Sequence, residues 1–217
     1  MIALIPARGG SKRIPNKNIR LFHGKPLLWY AVDAAGNSGI FDKVAVSTDS
    51  EVIAWVSQGC GAEVLWRPKE LADDHATTAA VVLHAAREFD SDLCCIYCNP
   101  FIKASTLRAA HEIFRATGAH SVVPVVEYSH PVARALRLNA DGIVRFWLDD
   151  YANSRTQDLH SMYHDAGQFY FINRDKFLSD PVLFGATTLP ILLKRHEVCD
   201  IDTEDDWEFA EKFWHLR

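Results

Sequence analysis

Two common nucleotide-binding fingerprints are absent from this sequence of 217 residues. There is no G-x-x-x-x-G-K-S/T phosphate loop, and there is no G-x-G-x-x-G motif followed by an acidic residue about 20 positions further on. The first absence argues against a P-loop NTPase, and the second argues against a nicotinamide-dependent dehydrogenase.

Long apolar runs and an excess of positive charge are also missing. No apolar stretch reaches the roughly 18 residues that a membrane-spanning helix needs, and the first residues do not follow the pattern of a signal peptide. Lys plus Arg number 23 against 28 for Asp plus Glu, a formal net charge of −5, so no general basic field favours nucleic acid. We therefore expect a cytosolic protein that binds neither membrane nor nucleic acid.

The cysteines number five, which is odd, and Cys94, Cys95 and Cys98 lie together in an apolar segment. This placement favours reduced, buried thiols that pack as small apolar side chains. A metal or redox site at Cys95-x-x-Cys98 is disfavoured, because no second pair of ligands follows at metal-binding spacing.

Strand and helix patterns alternate from the N-terminus as far as residue 126. Buried strands are predicted at 2–5, 44–46, 62–66, 93–97 and 121–126, and helices at 27–35, 52–56, 77–89 and 105–117. Gly36 is the predicted exit of the first helix, and Asp49 is predicted to cap the second, with a ligand role for Asp49 left open. The alternation predicts an α/β fold with a three-layer, doubly wound, mostly parallel sheet.

The rhythm changes at residue 127. Segments 134–138 and 143–147 flank the turn Asn139-Ala140-Asp141-Gly142 and predict a hairpin, and the polar stretch that follows contains scattered aromatics. An apolar segment at 166–172 returns to the sheet, and a capping box of Thr203 and Asp206 opens a last helix. We predict a single domain, 1–217, with an excursion at 127–165 that serves association or covers a site.

The loop that follows the first strand contains glycine and is strongly basic. Gly9 and Gly10 let the backbone approach a ligand, and Ser11 adds a hydroxyl. Four cations stand within ten residues: Arg8, Lys12, Arg13 and Lys17. Guanidinium, ammonium and backbone N–H groups all favour phosphate oxygens, and open α/β sheets bind ligands at the carboxyl ends of their strands. The loop therefore predicts a polyphosphate site rather than only a solvated basic surface.

Asp200 and Asp202 stand two residues apart just before the last helix. On an extended backbone their side chains point to the same side, and two carboxylates on one face can hold Mg²⁺, whose remaining positions are filled by water and phosphate oxygens. The alternative is a pair of acids that favours the N-terminal end of the helix dipole. A phosphate loop in the same chain favours the metal interpretation.

Four segments in combination resemble the cytidylyltransferases that activate sialic acids and related nine-carbon keto-sugar acids as CMP-sugars. They are IPARGGSKRIPNKNI, STDS, RPKELADDHATT and DIDTEDDW, and the resemblance runs almost end to end. Within the excursion, His130-Pro131 with Arg134-Ala135-Leu136, then RTQD and YHDAGQFY, resemble the branch that acts on pseudaminic acid. The resemblance implies a nucleotide-diphospho-sugar transferase-like fold, a role in bacterial surface glycan or flagellin glycosylation, and a homodimer whose excursion reaches the partner's active site.

The resemblance also implies roles for individual residues. CTP would be bound by Arg8, Gly10, Ser11, Lys12, Lys17, Arg67, Asp74, Ala76 and Thr78; Mg²⁺, or Mn²⁺, by Asp200 and Asp202; and the sugar by Asn99, Arg134, Arg155, Gln157, Asp165 and Gln168. Catalysis would depend on Arg8, Lys12, Lys17 and Asp202. His164 is a candidate general base, although a His beside an Asp is as often a structural pair.

One departure from the resemblance concerns the turn Cys98-Asn99-Pro100-Phe101, which is one residue shorter than the A-T-A-P-F or Q-P-T-S-P of such enzymes. It keeps open a catalytically impaired nucleotide-binding protein, against which Lys12, Asp200 and Asp202 argue. The same reaction on N-acetylneuraminic, legionaminic or an eight-carbon ulosonic acid also stays open.

Overall fold

The computed structural model describes residues 1–73 and 75–215. The strands are β1 (Ile2–Pro6), β2 (Leu21–Phe22), β3 (Lys25–Pro26), β4 (Lys43–Thr48), β5 (Glu63–Trp66), β6 (Leu93–Ile96), β7 (Ser121–Glu127), β8 (Leu136–Leu138), β9 (Val144–Phe146), β10 (Tyr163–Asp165), β11 (Phe169–Ile172) and β12 (Thr188–Leu193). The helices are α1 (Leu27–Ser38), α2 (Glu51–Gly59), α3 (Thr78–Glu88), α4 (Ala104–Thr117), α5 (Arg174–Ser179) and α6 (Glu204–Trp214).

The central sheet is mostly parallel. Its order is β10-β7-β11-β6-β1-β4-β5, and β12 pairs with β7. Strand β1 lies between β4 and β6 and is parallel to both, whereas β11 runs antiparallel to β6 and β7. The predicted α/β fold with a doubly wound, mostly parallel sheet is confirmed.

Strand β1 is buried on both faces, as its continuous apolar run predicts. Ala3 and Ile5 pack into one core together with residues of α1, α4 and α6. Ile2 and Leu4 point to the opposite face and pack with residues of α3 and α5. Side chains alternate along a strand, so a single short segment ties the two outer helical layers to the sheet.

Some predicted ends of helices and strands agree with the structure and others differ from it. Helix α1 continues past Gly36 and ends at Gly39, whose φ of 68° is the left-handed conformation that glycine adopts without strain. Thr203 and Asp206 form the predicted capping box of α6. Strand β10 and helix α5 were not predicted, because each is short and rich in polar residues, so its periodicity is weak. Strand β12 was not predicted because its sequence TLPILL does not alternate and contains Pro190, which argues against a strand within a sheet.

The excursion at 127–165 carries the predicted hairpin as β8 and β9, joined through Asn139 to Gly142. Apolar side chains on it are largely exposed, with Leu138 at 70% and Trp147 at 60%. None of the helices in the described ranges has the length and apolarity needed to cross a membrane.

A glycine near β12 offers a stability test. A Cβ on Gly185 would lie 2.6 Å from the ring of His120, which is buried and held by the carbonyl of Val182 at 2.7 Å. We expect Gly185→Ala to lower the free energy of unfolding by about 1–3 kcal/mol, because the ring must move to admit the methyl group. Urea denaturation with an unchanged m-value measures this loss.

The matched control is Gly36→Ala, which places the same methyl group within α1 where no atom lies within 4 Å. Alanine is favoured over glycine inside a helix, so this variant should be neutral or stabilised by up to about 1 kcal/mol. Equal stability of the two variants would contradict the steric argument at Gly185.

Candidate active site

A cleft of about 580 Å³ opens where the central strands end. The cleft is bordered by the loops after β1 and β6, the start of α3, the bend between β10 and β11, and the segment before α6. Its lining residues are Pro6, Arg8, Ser11, Lys12, Arg13, Lys17, Asn18, Arg67, Ala76, Thr78, Val81, Tyr97, Cys98, Asn99, Gly167, Tyr170, Asp200, Ile201 and Asp202.

The basic loop is held against the ends of β1 and β4. The backbone N–H of Gly9 donates to Asp49 Oδ1 at 2.9 Å, and a Cβ on Gly9 would lie 3.1 Å from the Cβ of Ser50. Buried Ile14 fixes the middle of the loop, and Asn18 Nδ2 donates to the carbonyl of Arg8 at 3.2 Å. The prediction that Asp49 caps α2 is wrong: Ser50 caps it by accepting from the N–H of Ile53, which leaves Asp49 to anchor the loop.

The cations of the loop converge on the cleft. Lys17 Nζ donates to the carbonyl of Ile201 at 2.6 Å and contacts Asp202 Oδ1 at 3.3 Å. Arg13 pairs with Asp202 Oδ2 at 2.9 Å, and Arg8 donates to the carbonyl of Asp73 at 2.8 Å. Lys12 and Ser11 also line the cleft, whereas Gly10 belongs to the loop without lining it. Such a concentration of cations suits a polyanionic ligand.

Arg67 also lines the cleft and is itself buried. Its Nη2 and Nε donate to the carbonyl and the hydroxyl of Ser47 at 2.9 and 3.2 Å. Burial lowers the pKa of this guanidinium, and the neighbouring Asp49 opposes that shift. Ala76 and Thr78 also line the cleft, and their role in CTP binding stays a prediction; Asp74 lies outside the described residues.

Asp200 and Asp202 both line the cleft, facing the basic loop. Burial, and then the charge of Asp202, raise the pKa of Asp200, while the ammonium of Lys17 opposes this rise. A partly buried carboxylate beside a second carboxylate is the donor set that a hard divalent cation stabilises. The described residues hold no group of three or more His, Cys, Asp or Glu arranged for a metal, so these two carboxylates would be the only acidic ligands from that part of the chain.

The shortened turn after β6 is tied down through Asn99. Its Nδ2 donates to the carbonyl of Cys199 at 2.8 Å, and its Oδ1 accepts from the N–H of Phe101 at 2.9 Å. Asn99 lines the cleft, where both ends of its amide already bind the protein, and its role at the sugar stays a prediction. Burial raises the pKa of Cys95 and of Cys98 to about 12, which agrees with the predicted role of these thiols as apolar packing groups.

Two tyrosines that sequence reasoning missed form a wall of the cleft. The hydroxyls of Tyr97 and Thr78 are 2.6 Å apart, and the rings of Tyr97 and Tyr170 meet edge to face with centroids separated by 5.8 Å. The Tyr170 hydroxyl donates to Asp165 Oδ2, and Asp165 Oδ1 accepts from the N–H of Gly167. Tyr97 could have been found from its position directly after a buried parallel strand, where side chains reach a ligand crevice.

The remaining predicted site residues lie outside the cleft of this single chain. Gln168 is buried and donates to the carbonyl of Glu197, and His164 Nδ1 bonds the carbonyl of Asp165 rather than its carboxylate. Arg155 pairs with Asp158 at 2.7 Å. Arg134 lies over the ring of Phe146, and its buried Nε has no hydrogen-bond partner among the described residues. Gln157 lies in the exposed excursion.

The chain is similar to known proteins over almost its whole length. A family model described as cytidylyltransferase matches residues 2–185. The chain is 40% identical to pseudaminic acid cytidylyltransferase of Campylobacter jejuni subsp. jejuni serotype O:2 over 97% of this chain and 94% of that protein. It is 34% identical to CMP-N,N'-diacetyllegionaminic acid synthase of Legionella pneumophila over 100% of this chain and 97% of that protein.

A solved structure supports the fold. A CMP:2-keto-3-deoxy-manno-octonic acid synthetase complexed with CTP superimposes with a TM-score of 0.74 at 14% identity, covering 99% of this chain and 98% of that chain. At this identity the similarity concerns the fold alone. The family model and the relatives agree, and the chain belongs to the cytidylyltransferase family.

Proposed function

We propose that this cytidylyltransferase joins CTP to pseudaminic acid, forming CMP-pseudaminic acid and pyrophosphate. The observation that carries the proposal is one cleft in which a cationic loop faces two carboxylates, in a chain that matches a pseudaminic acid cytidylyltransferase over almost its whole length. The cations suit a triphosphate, and the polar tyrosine wall suits an acceptor rich in hydroxyl and amide groups.

The reaction is a displacement at phosphorus. An oxygen of the sugar's anomeric hydroxyl forms a bond to the α-phosphorus of CTP, the bond from that phosphorus to the β-phosphate oxygen breaks, and the hydroxyl proton passes to solvent or a nearby base. The protein's work is positioning and charge neutralisation. Arg8, Lys12 and Lys17 would stabilise the negative charge that develops on the departing pyrophosphate.

Asp200 and Asp202 would hold a divalent cation, Mg²⁺ or Mn²⁺. When bound, the cation would supply positive charge to the phosphate oxygens and could lower the pKa of a bound hydroxyl. The raised pKa of Asp200 fits this role, because burial, and then the charge of Asp202, disfavour its ionised form, which a bound cation would stabilise.

The first experiment measures pyrophosphate release with CTP, Mg²⁺ and each of several free sugar acids. We expect release with pseudaminic acid and little with N-acetylneuraminic or legionaminic acid. Release with another of these acids alone would keep the reaction and discard the proposed substrate. If no acid leads to pyrophosphate release while CTP still binds, the result would favour a nucleotide-binding protein that has lost catalysis. The turn at Asn99 would then be the first place to look for the cause.

We also propose a homodimer in the cytoplasm. The excursion exposes Leu136, Leu138, Val144 and Trp147, and a hairpin with this much exposed apolar surface is unlike the surface of a monomer. Within the described part of the chain the buried Nε of Arg134 has no hydrogen-bond partner, as a group would whose ligand lies on another chain or a substrate. The free cysteines, four of them buried, fit a reducing compartment.

If the excursion completes the partner's site, Arg155→Ala should raise KM for the sugar about 10-fold and leave KM for CTP nearly unchanged. The reason is that the lost guanidinium would bind the sugar's carboxylate and no part of the nucleotide. The matched control is Arg115→Ala, which removes an exposed guanidinium from α4, far from the excursion. Equal rises in both KM values would remove Arg155 from the sugar site.

Mixing two defective variants tests the exchange of excursions directly. In a dimer of one Asp202→Asn chain and one Arg155→Ala chain, one of the two sites would have an intact body and an intact partner excursion. At a sugar concentration well below KM, where Arg155→Ala alone should retain about a tenth of wild-type activity and Asp202→Asn alone about 1% or less, random assembly should restore roughly a quarter of wild-type activity. No recovery despite exchange of chains would show that each excursion serves its own chain.

A further inference from the structure

Arg13 is a cation of the basic loop to which the proposed reaction gives no role. Its side chain lines the cleft, and its Nη2 lies 2.9 Å from Oδ2 of Asp202. Asp202 is one of the two carboxylates that we assign to a divalent cation. In the free protein, the guanidinium therefore holds a carboxylate oxygen that the metal site would need.

Lys17 contacts the other oxygen of the same carboxylate, but it is anchored there more firmly. Its Nζ lies 3.3 Å from Oδ1 of Asp202 and also donates to the carbonyl of Ile201 at 2.6 Å. The Lys17 side chain is 24% exposed, whereas that of Arg13 is 66% exposed. An ion pair as exposed as that of Arg13 is weak, so it is the one that a stronger partner can displace.

The backbone on both sides of this ion pair is held by other contacts. Ile14, which follows Arg13, is fully buried, and its carbonyl accepts from the N–H of Lys17 at 3.1 Å. On the other side, the backbone N–H of Asp202 donates to Asp206 Oδ2 at 3.1 Å. Arg13 can therefore leave Asp202 by rotation about its own side-chain bonds, while the loop and the carboxylate stay in place.

We propose that Arg13 is an exchangeable counter-ion of the metal site, which neutralises Asp202 in the free protein and releases it when a nucleotide and a divalent cation bind. This inference rests on the proposed function, because it takes Asp200 and Asp202 to hold the cation and the cleft to hold CTP. A triphosphate offers a guanidinium several phosphate oxygens in bidentate geometry, which is a stronger partner than one oxygen of an exposed carboxylate.

The exchange makes the binding of nucleotide and cation cooperative. Either ligand alone must break the ion pair between Arg13 and Asp202, but the two together break it only once. The ion pair therefore multiplies the coupling between the two ligands by its own equilibrium constant, and by linkage this factor is the same whichever ligand binds first. For an exposed ion pair the factor is at most about 5.

The first test measures the binding of Mn²⁺ without nucleotide, followed by electron paramagnetic resonance, in the wild type and in Arg13→Gln. Glutamine removes the charge and keeps a polar side chain. We expect Arg13→Gln to bind Mn²⁺ about 3–5-fold more tightly than the wild type, because no ion pair has to be broken at Asp202. A gain of affinity is diagnostic, since the loss of a group that only supports the loop would weaken Mn²⁺ binding or leave it unchanged.

The matched control is Arg20→Gln, which removes the same charge from an ion pair next to the metal site. Arg20 Nη1 lies 2.6 Å from Oε2 of Glu204, two residues beyond Asp202, and Arg20 is not among the residues that line the cleft. Its loss should change the affinity for Mn²⁺ less than about twofold. An equal gain in both variants would be a general effect of charge and would overturn the proposal, as would an unchanged or weaker affinity in Arg13→Gln.

The second test measures CTP binding by calorimetry, without and with saturating Mn²⁺ and with no sugar acid present. The ratio of these two dissociation constants should be about 3–5-fold smaller in Arg13→Gln than in the wild type. Association of Mn²⁺ with CTP in solution is the same for both proteins and cancels from the comparison. An unchanged ratio would overturn the exchange.

The two tests separate the failure of this inference from the failure of the proposed function. If the wild type does not bind CTP, the proposed function is wrong, whatever Mn²⁺ does. If the wild type binds CTP but binds no Mn²⁺ with or without the nucleotide, the inference is overturned, because there is then no cation for which Arg13 releases Asp202.

Discussion

Asp202→Asn should lower kcat by about 10²–10³-fold, the scale on which one aimed electrostatic group contributes to catalysis. Asp202 lines the cleft, contacts Lys17 at 3.3 Å and Arg13 at 2.9 Å, and is one of two carboxylates available to a divalent cation. Asparagine keeps the shape but loses the charge. The Asp202 side chain is 38% exposed, so the substitution should leave folding unaffected. The midpoint of thermal denaturation should therefore be close to that of the wild type.

Asp202 has a second role that the variant also removes, because its ion pairs hold the basic loop. Arg13→Gln separates the two roles, since it deletes the ion pair at 2.9 Å and keeps the carboxylate. The arginine is 66% exposed, and an exposed pair of this kind contributes at most about 1 kcal/mol. A much smaller loss of kcat in Arg13→Gln than in Asp202→Asn would therefore assign the effect to the carboxylate itself.

Binding of Mn²⁺ in the presence of CTP, followed by electron paramagnetic resonance, provides a readout that does not depend on turnover. Asp202→Asn should weaken it, and the control Asp205→Asn, which lies in the first turn of α6 and outside the cleft lining, should not. Near wild-type kcat and Mn²⁺ affinity in Asp202→Asn would remove this residue from the metal site.

The parts of this molecule that could be predicted from sequence are those where local pattern and global fold agree. The continuous apolar run of β1 is buried on both faces, and the cations after it line a cleft at its carboxyl end. Asp200 and Asp202 reach the same cleft from a segment almost two hundred residues away. Motif spacing and strand direction were enough to predict where this cleft lies, because parallel strands bring their carboxyl ends to one edge of the sheet.

The other parts depend on contacts that no local pattern contains. Asp49 resembles a helix cap in the sequence, yet it accepts a hydrogen bond from Gly9, 40 residues away. Gln168 and Asn99 resemble ligand-binding residues, but their amides hold the backbone at Glu197 and Cys199. Tyr97 and Tyr170 were missed because each sits among apolar residues, where an aromatic side chain is most simply interpreted as core.

The residues predicted for the sugar site in the excursion lie outside the cleft for a different reason. Arg134, Arg155 and Gln157 are absent from the cleft lining of the single chain, and the apolar side chains around them are exposed. A segment that functions against a second copy of the chain cannot show its contacts in one copy. Their predicted roles at the sugar would depend on the proposed dimer, which the mixing of Asp202→Asn and Arg155→Ala chains tests.

Lys12→Ala is the second substitution for which we expect a loss in kcat of about 10²–10³-fold, through charge on the departing pyrophosphate rather than through the carboxylates. Lys12 lies in the same cleft lining as Arg8 and Lys17, and the prediction assigns its ammonium to the leaving phosphates. Alanine at this position should leave the backbone of the loop unchanged, because Ile14 and Asn18 hold that backbone in place.

Product inhibition distinguishes this role from general weakening of the nucleotide. If Lys12 contacts the phosphates that depart, Lys12→Ala should raise the inhibition constant of pyrophosphate at least roughly 10-fold and change that of CMP much less, because an ammonium contributes most to the phosphates nearest it. Lys43→Ala, which removes an exposed cation paired with Glu63 far from the cleft, should change neither constant. Equal rises for pyrophosphate and CMP would place Lys12 at the α-phosphate instead, where its charge would stabilise the reacting centre rather than the leaving group.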